Sequence, residues 1–143
     1  MTAQLNKERV RRYLDEVWNE GDIEGSAAYL APGYRRHLGP GVEPLDVDGQ
    51  RVRLQGFRTA FPDVKLEIEQ MVAEGDLVAF RFTLTGTHLG PFQGIDPTGV
   101  KVNVPGLDLV RLRDGRLTEH WGGADLAILK GQLASGATPP APS

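Results

Sequence analysis

At Pro62 the spacing of apolar residues changes from a period of about 3.6 to a period of 2, which demands helices before it and strands after it. Upstream, Val10, Tyr13, Leu14, Val17 and Trp18 fall on one helical face, and Gly21 is a natural stop for that helix. Asp22 is placed to cap a second, shorter helix through Leu30, which Pro32 and Gly33 would end. From Leu38 to Gly49 there are several Gly and Pro residues and no period, so this stretch reads as a loop. A third helix is expected from about Asp48 to Phe61, with Leu54, Phe57 and Phe61 inward and Pro62 closing it.

Downstream, Val64, Leu66 and Ile68 alternate with Lys65, Glu67 and Glu69, the pattern of a strand with one wet face. A turn at Glu74-Gly75-Asp76 leads into a second strand, Leu77 to His88, whose Val78, Phe80, Phe82, Leu84 and His88 share a face. A third strand starts near Val100, is expected to bend or bulge at Pro105-Gly106, and resumes through Leu112. Asp114-Gly115 suits a type I′ hairpin turn before a last strand, Leu117 to Trp121. Leu126, Leu129 and Leu133 mark a short final helix, and the Gly, Pro, Ala and Ser-rich tail 136–143 is expected to be disordered. The order predicts an α+β fold, helices gathered on one side of a curved antiparallel sheet, as a single domain over residues 1–135.

With 143 residues, 40% of them hydrophobic, the chain can build its own core. Its net charge of −3 comes from interspersed acids and bases without a basic stripe, which argues against nucleic acid and anionic membranes as partners. Cysteine is absent, which rules out a disulfide framework, a thiolate metal site and a cysteine nucleophile, and fits a cytoplasmic location. No apolar run approaches the roughly 18 residues of a membrane span.

Between the second and third strands, Gly86 to Gly99 is crowded with Gly and Pro and carries His88. Such loops seldom serve packing alone. It lies between two other histidine-bearing segments, at His37 and at Thr118-Glu119-His120-Trp121, so three distant parts of the chain are candidates to converge on one cleft.

Five stretches carry a resemblance to the SnoaL-like polyketide cyclase ("ester cyclase") family of the NTF2-like superfamily. They are Trp18-Asn19-Glu20-Gly21-Asp22, Ala60-Phe61-Pro62-Asp63, Ala73 to Ala79, the Gly86 to Gly99 loop, and Arg113 to Trp121. The resemblance implies a cone whose bent sheet wraps a deep pocket, dimerisation through the outer sheet face, and ring closure by intramolecular aldol condensation without metal or organic cofactor. In that chemistry an acidic side chain removes a proton alpha to a carbonyl and neighbouring donors stabilise the enolate. The implied substrate is a small, hydrophobic polyketide-type ester.

Two residues are candidates for the acid. Alternation in the last strand puts Glu119 on the side of Leu117 and Trp121, facing an apolar interior where acid/base carboxylates are tuned; a slip of one residue would expose it and bury His120 instead. Asp125 follows Gly122-Gly123 at the expected pocket rim and is equally placed to cap the final helix. His88, at an inward strand end, and His37, after Tyr34-Arg35-Arg36, are candidate donors to a substrate carbonyl. Trp18 and Phe92 are the preferred ligand contacts, and Tyr13, Phe57 and Trp121 are further candidates for the pocket wall, although aromatic residues on apolar faces are most often core.

The three histidines are scattered without His-x-His or His-x-x-x-His spacing, so no metal site is expected. There is no Gly-x-Ser-x-Gly elbow, and the Gly-rich loop leads into a strand rather than a helix, which argues against a serine nucleophile and nucleotide binding. The alternatives on the same fold are an isomerase, an epoxide hydrolase, for which Arg81, Arg111 and Asp108 are the available residues, and a non-catalytic binding protein.

Overall fold

The first helix forms where the apolar stripe demands it. In the computed structural model, which describes residues 2–136, α1 (Ala3–Tyr13) starts under a Thr2 cap whose hydroxyl accepts from Leu5 N–H. It widens into a π-helical turn, Leu14–Asn19, and all five residues of the stripe are buried. Asp22 caps only a short 3₁₀ turn, Glu24–Ala28, and not a helix through Leu30. Leu30–Arg36 is a strand, β1. Pro32 is compatible with it because β1 lies at the edge of the sheet, where a missing N–H breaks no ladder. Helix α2 (Val47–Ala60) begins at Asp46, whose carboxylate accepts from Gly49 N–H at 2.8 Å, and ends at Phe61 just before Pro62.

The strands β2 (Lys65–Glu74), β3 (Leu77–Thr87), β4 (Lys101–Arg113) and β5 (Arg116–Ala124) follow, then α3 (Leu126–Ser135). The sheet order is β1-β5-β4-β3-β2. It is an antiparallel meander with β1 added parallel to β5, so the sheet is mixed rather than wholly antiparallel. The expected hairpin turn is present, with positive φ at both Asp114 and Gly115. The expected break at Pro105-Gly106 is absent: β4 alternates without interruption, and Val102, Val104, Asp108, Val110 and Leu112 are buried. Gly106 stays in register because its missing side chain makes room for a ring; a Cβ there would lie 2.1 Å from Phe82 Cζ.

One face of the sheet meets the helices. Val78, Phe80, Phe82 and Leu84 of β3 pack with Tyr13, Trp18, Leu54, Phe57 and Phe61 in one core. The outer face keeps Val72, Leu107 and Leu109 exposed. No helix among the described residues is long and apolar enough to cross a membrane. The expectation for the tail falls mostly outside the described residues; Gly136, the first of its residues, is the left-handed C-cap of α3.

Candidate functional site

The alternation of β5 is offset by one residue. Leu112 pairs with Leu117, but the next residue of β4, Arg111, pairs with Glu119, so Thr118 is an extra residue in a bulge. Leu117 and His120 therefore both face inward, and Glu119 is turned to the half-exposed side. This corrects the expectation that Glu119 faces the apolar interior. Opposite His120, the unbroken alternation of β4 sends Asp108 into the same interior. Parallel pairing sets β1 beside them, with Arg36 against His120 and Tyr34 also inward.

These residues form a buried polar cluster. His120 (3% exposed) has Nε2 3.0 Å from Asp108 Oδ2 (6% exposed), and Nδ1 3.2 Å from Tyr34 Oη. The Asp108 contact is out of line for a hydrogen bond and leaves His120 Nε2 without a partner among the described residues; the other carboxylate oxygen, Asp108 Oδ1, has none there either. Arg36 is 2% exposed; its Nη2 donates to the Gly122 carbonyl at 2.6 Å and its Nε has no partner among the described residues. Arg53 reaches in from α2, its guanidinium over the Phe57 ring at 4.9 Å and the Trp18 ring at 5.9 Å.

Burial decides the protonation states. Desolvation lowers His120 to about 4, and the charges of Arg36 and Arg53 assist; the Asp108 carboxylate opposes them but does not prevail. At neutral pH the imidazole is uncharged. Burial pushes the Tyr34 phenol up, so it keeps its proton and can donate to Nδ1. That leaves the imidazole hydrogen on Nε2, facing Asp108. Burial, followed by the like charge of Arg36, lowers Arg53 to about 10, and Asp108 pulls it the other way.

Three openings meet here. An inner cavity of about 10 Å³, room for about one water, is bounded by Asp108, His120, Trp18, Phe57, Arg36 and Arg53. An outer pocket of about 550 Å³ is lined by His37, Leu38, Trp121 and Leu126, with Arg36, Arg53, Gly123 and Ala124 shared with the inner cavity. A third groove of about 450 Å³ runs between α2 and the Pro91–Gln93 loop, and includes Phe92. Arg53 borders all three.

The residues singled out from the sequence are dispersed around this centre. Glu119 and His37 meet at the outer pocket: His37 Nε2 is 3.1 Å from Glu119 Oε2, and the His37 ring stacks on Trp121 at 5.0 Å. Arg111 approaches the other Glu119 oxygen at 3.7 Å. Asp125 caps α3, accepting from Ile128 N–H at 3.0 Å, and borders a shallow hollow beside Pro105 and Leu107. His88 faces inward as alternation predicts, but it fastens its own loop: Thr98 N–H donates to its Nδ1 at 3.1 Å, and its ring lies against Phe61. Phe92 is 5% exposed and packed on Phe57 and Phe61, so its loop is anchored in the core. Trp18 and Phe57 line the inner cavity. Tyr13 is fully buried against Tyr29. Arg81 and Arg111 are exposed, so the arginines near Asp108 are Arg36 and Arg53 instead.

Sequence reasoning passed over Asp108, His120, Tyr34, Arg36 and Arg53 as members of one site. Two signals were available: the period-2 pattern of β4 continues through Pro105-Gly106 to Asp108, and Arg53 stands four residues before Phe57 on one helical face. Among the described residues, no three His, Asp or Glu side chains are grouped to hold a metal ion.

The fold agrees with those of known proteins. No curated protein matches the sequence. Among solved structures, a proposed polyketide cyclase of Acidithiobacillus ferrooxidans is 34% identical, with 96% of this chain and 100% of that one covered and a TM-score of 0.82. TsrD of Streptomyces laurentii is 29% identical over 94% of this chain and 98% of its own, with the same TM-score of 0.82. IdmH of Streptomyces antibioticus, a proposed polyketide cyclase, is 31% identical over 90% and 98%, with a TM-score of 0.78. The family model for SnoaL-like polyketide cyclase matches residues 8–133, and the chain belongs to that family.

Proposed function

We propose that the chain is a cofactor-independent acid/base enzyme that closes a ring in a small apolar carbonyl compound by intramolecular aldol addition, with Asp108 as the base. The observation that carries this reading is the unpartnered Asp108 Oδ1, buried at the wall of the inner cavity beside a neutral His120. A carboxylate oxygen with no partner inside the protein is free to accept a proton from a bound molecule. Asp108 takes the proton alpha to the substrate carbonyl, and the electron pair moves onto the carbonyl oxygen. Arg36 and Arg53, which border the same cavity, stabilise that enolate. The enolate carbon adds to a second carbonyl of the same molecule, a carbon–carbon bond forms, and the new alkoxide recovers the proton from Asp108.

His120 stands beside the carboxylate, its Nε2 3.0 Å from Asp108 Oδ2 and its Nδ1 held by the Tyr34 phenol. The outer pocket and Trp121 receive the body of the substrate, and Trp18 and Phe57 form the inner wall. Glu119 and His37 at the mouth are assigned to substrate contact rather than to the proton transfer. The outer sheet face, with Val72, Leu107 and Leu109 exposed, is assigned to a homodimer.

A second reading is favoured by the size of the inner cavity. Room for about one water beside Asp108 and His120 also suits activation of that water for opening an epoxide. Two probes separate them. In D2O the protein should speed deuterium uptake alpha to the carbonyl of 2-tetralone, followed by proton NMR; with styrene oxide in 18O-water it should form no labelled diol. Labelled diol without ketone exchange would reverse the assignment.

A further inference from the structure

Within the cavity read above as the substrate site, the charges do not balance. The acid that borders the inner cavity is Asp108, whereas two guanidiniums, Arg36 and Arg53, border it, and His120 is neutral. Glu119, at the mouth, is already engaged by His37 and Arg111. The buried neck between the two openings therefore has an excess of one positive charge.

Neither guanidinium is saturated. Arg36, almost wholly buried, leaves Nε without a hydrogen-bond partner. Arg53 makes no hydrogen bond or ion pair among the described residues; its guanidinium lies over the faces of Phe57 and Trp18, and Asp108 attracts it only from a distance. Arg36 is buried and Arg53 half-buried; an unsatisfied buried guanidinium N–H is costly, and proteins keep one mostly where a ligand supplies the acceptor.

The backbone keeps the space between them open. Gly123 has φ +144°, and a Cβ there would stand 2.9 Å from Arg36 Nη2 and 3.6 Å from Arg53 Nη2. These two distances cap the separation of the nitrogens at about 6.5 Å, a gap that a carboxylate bridges with N–H···O bonds of about 2.8 Å. Any side chain at position 123 would both strain the backbone and fill the cradle.

We propose that the substrate is an organic acid, held by its carboxylate between Arg53 and Arg36 over Gly123, with its apolar body against Trp121 and Leu38. The inference rests on the reading of this cavity as the substrate site, and it replaces the ester implied by the resemblance with a free acid. One negative charge balances the neck, and the apolar walls select a planar hydrocarbon body over a phosphate. The reacting carbon then lies deeper than the carboxylate, toward Asp108, and the guanidinium N–H groups that the carboxylate does not use remain for the enolate oxygen.

Calorimetry at low salt tests this with three probes: 2-naphthoate, methyl 2-naphthoate and inorganic phosphate. The carboxylate should bind at least about tenfold more tightly than its ester. Arg53→Leu should abolish that preference, and Arg53→Lys should keep part of it. Asp108→Asn, which removes the one opposing charge, should tighten naphthoate severalfold even though it abolishes proton abstraction. Loss of ketone exchange with an intact carboxylate preference would thus count against the base alone. Equal binding of acid and ester, a preference that survives Arg53→Leu, or tight binding of phosphate without naphthoate would each overturn the proposal.

Discussion

Replacing His120 with glutamine should flatten the acid limb of the stability curve. The folded protein holds this imidazole at about 4, whereas its ordinary value is 6.5. The folded-state value is lowered, so the unfolded chain binds the proton first. Stability is therefore intact above pH 6.5 and falls as pH drops through the window between 6.5 and about 4. Each pH unit within that window removes about 1.4 kcal/mol, which makes about 3 kcal/mol across it and about 2 kcal/mol by pH 5. Glutamine can face Tyr34 and Asp108 with an amide that does not titrate in this range. Urea unfolding followed by tryptophan fluorescence, at pH 7.5 and pH 5, gives the comparison. The native chain should lose about 2 kcal/mol more than His120→Gln between the two pH values. The other two histidines are present in both proteins and cancel. The same loss in both would refute a buried neutral His120 and, with it, the protonation scheme of the cavity.

Phe92→Ala should cost about 3–5 kcal/mol of unfolding free energy, because the ring is packed against Phe57 and Phe61 rather than presented at a mobile mouth. Gly106→Ala should destabilise by about 1–3 kcal/mol or more, since its Cβ would overlap the Phe82 ring; chemical denaturation reads both. Asp125→Ala should lower stability by about 1 kcal/mol through the lost cap on Ile128 N–H and leave naphthoate affinity unchanged by calorimetry. Leu107→Glu, on the exposed outer face, should convert a dimer to a monomer in light scattering.

The helix-to-strand switch at Pro62 was readable because amphipathic periods are local: α1, α2 and the β2–β3 hairpin follow directly from residue spacing. β1 was not, because Pro32 and Gly33 look like a helix stop until the strand is known to sit at a sheet edge. The buried polar cluster was hidden at two points of register. The bulge at Thr118 exchanges the faces of Glu119 and His120, and only the pairing with β4 reveals the extra residue. At Pro105-Gly106 the local signal pointed to a break, yet Phe82 from the neighbouring strand fills the gap and keeps β4 straight through to Asp108. Family membership survived these errors because it rests on stretches spread along the chain. The orientation of Glu119 did not, because it turns on which face of one strand is buried.

With Asp108, inside the cavity, as the proton acceptor rather than an acid at its rim, loss of that one carboxylate should end exchange. The direct measurement is the rate of alpha-deuteration of 2-tetralone in D2O by the native chain and by Asp108→Asn, Glu119→Gln and Asp125→Asn. Removal of a catalytic base typically costs about 100-fold or more, so Asp108→Asn should fall to the uncatalysed rate while the other two stay within a few-fold of native. Exchange that persists in Asp108→Asn and disappears in Glu119→Gln or Asp125→Asn would contradict the assignment and move the chemistry to the rim.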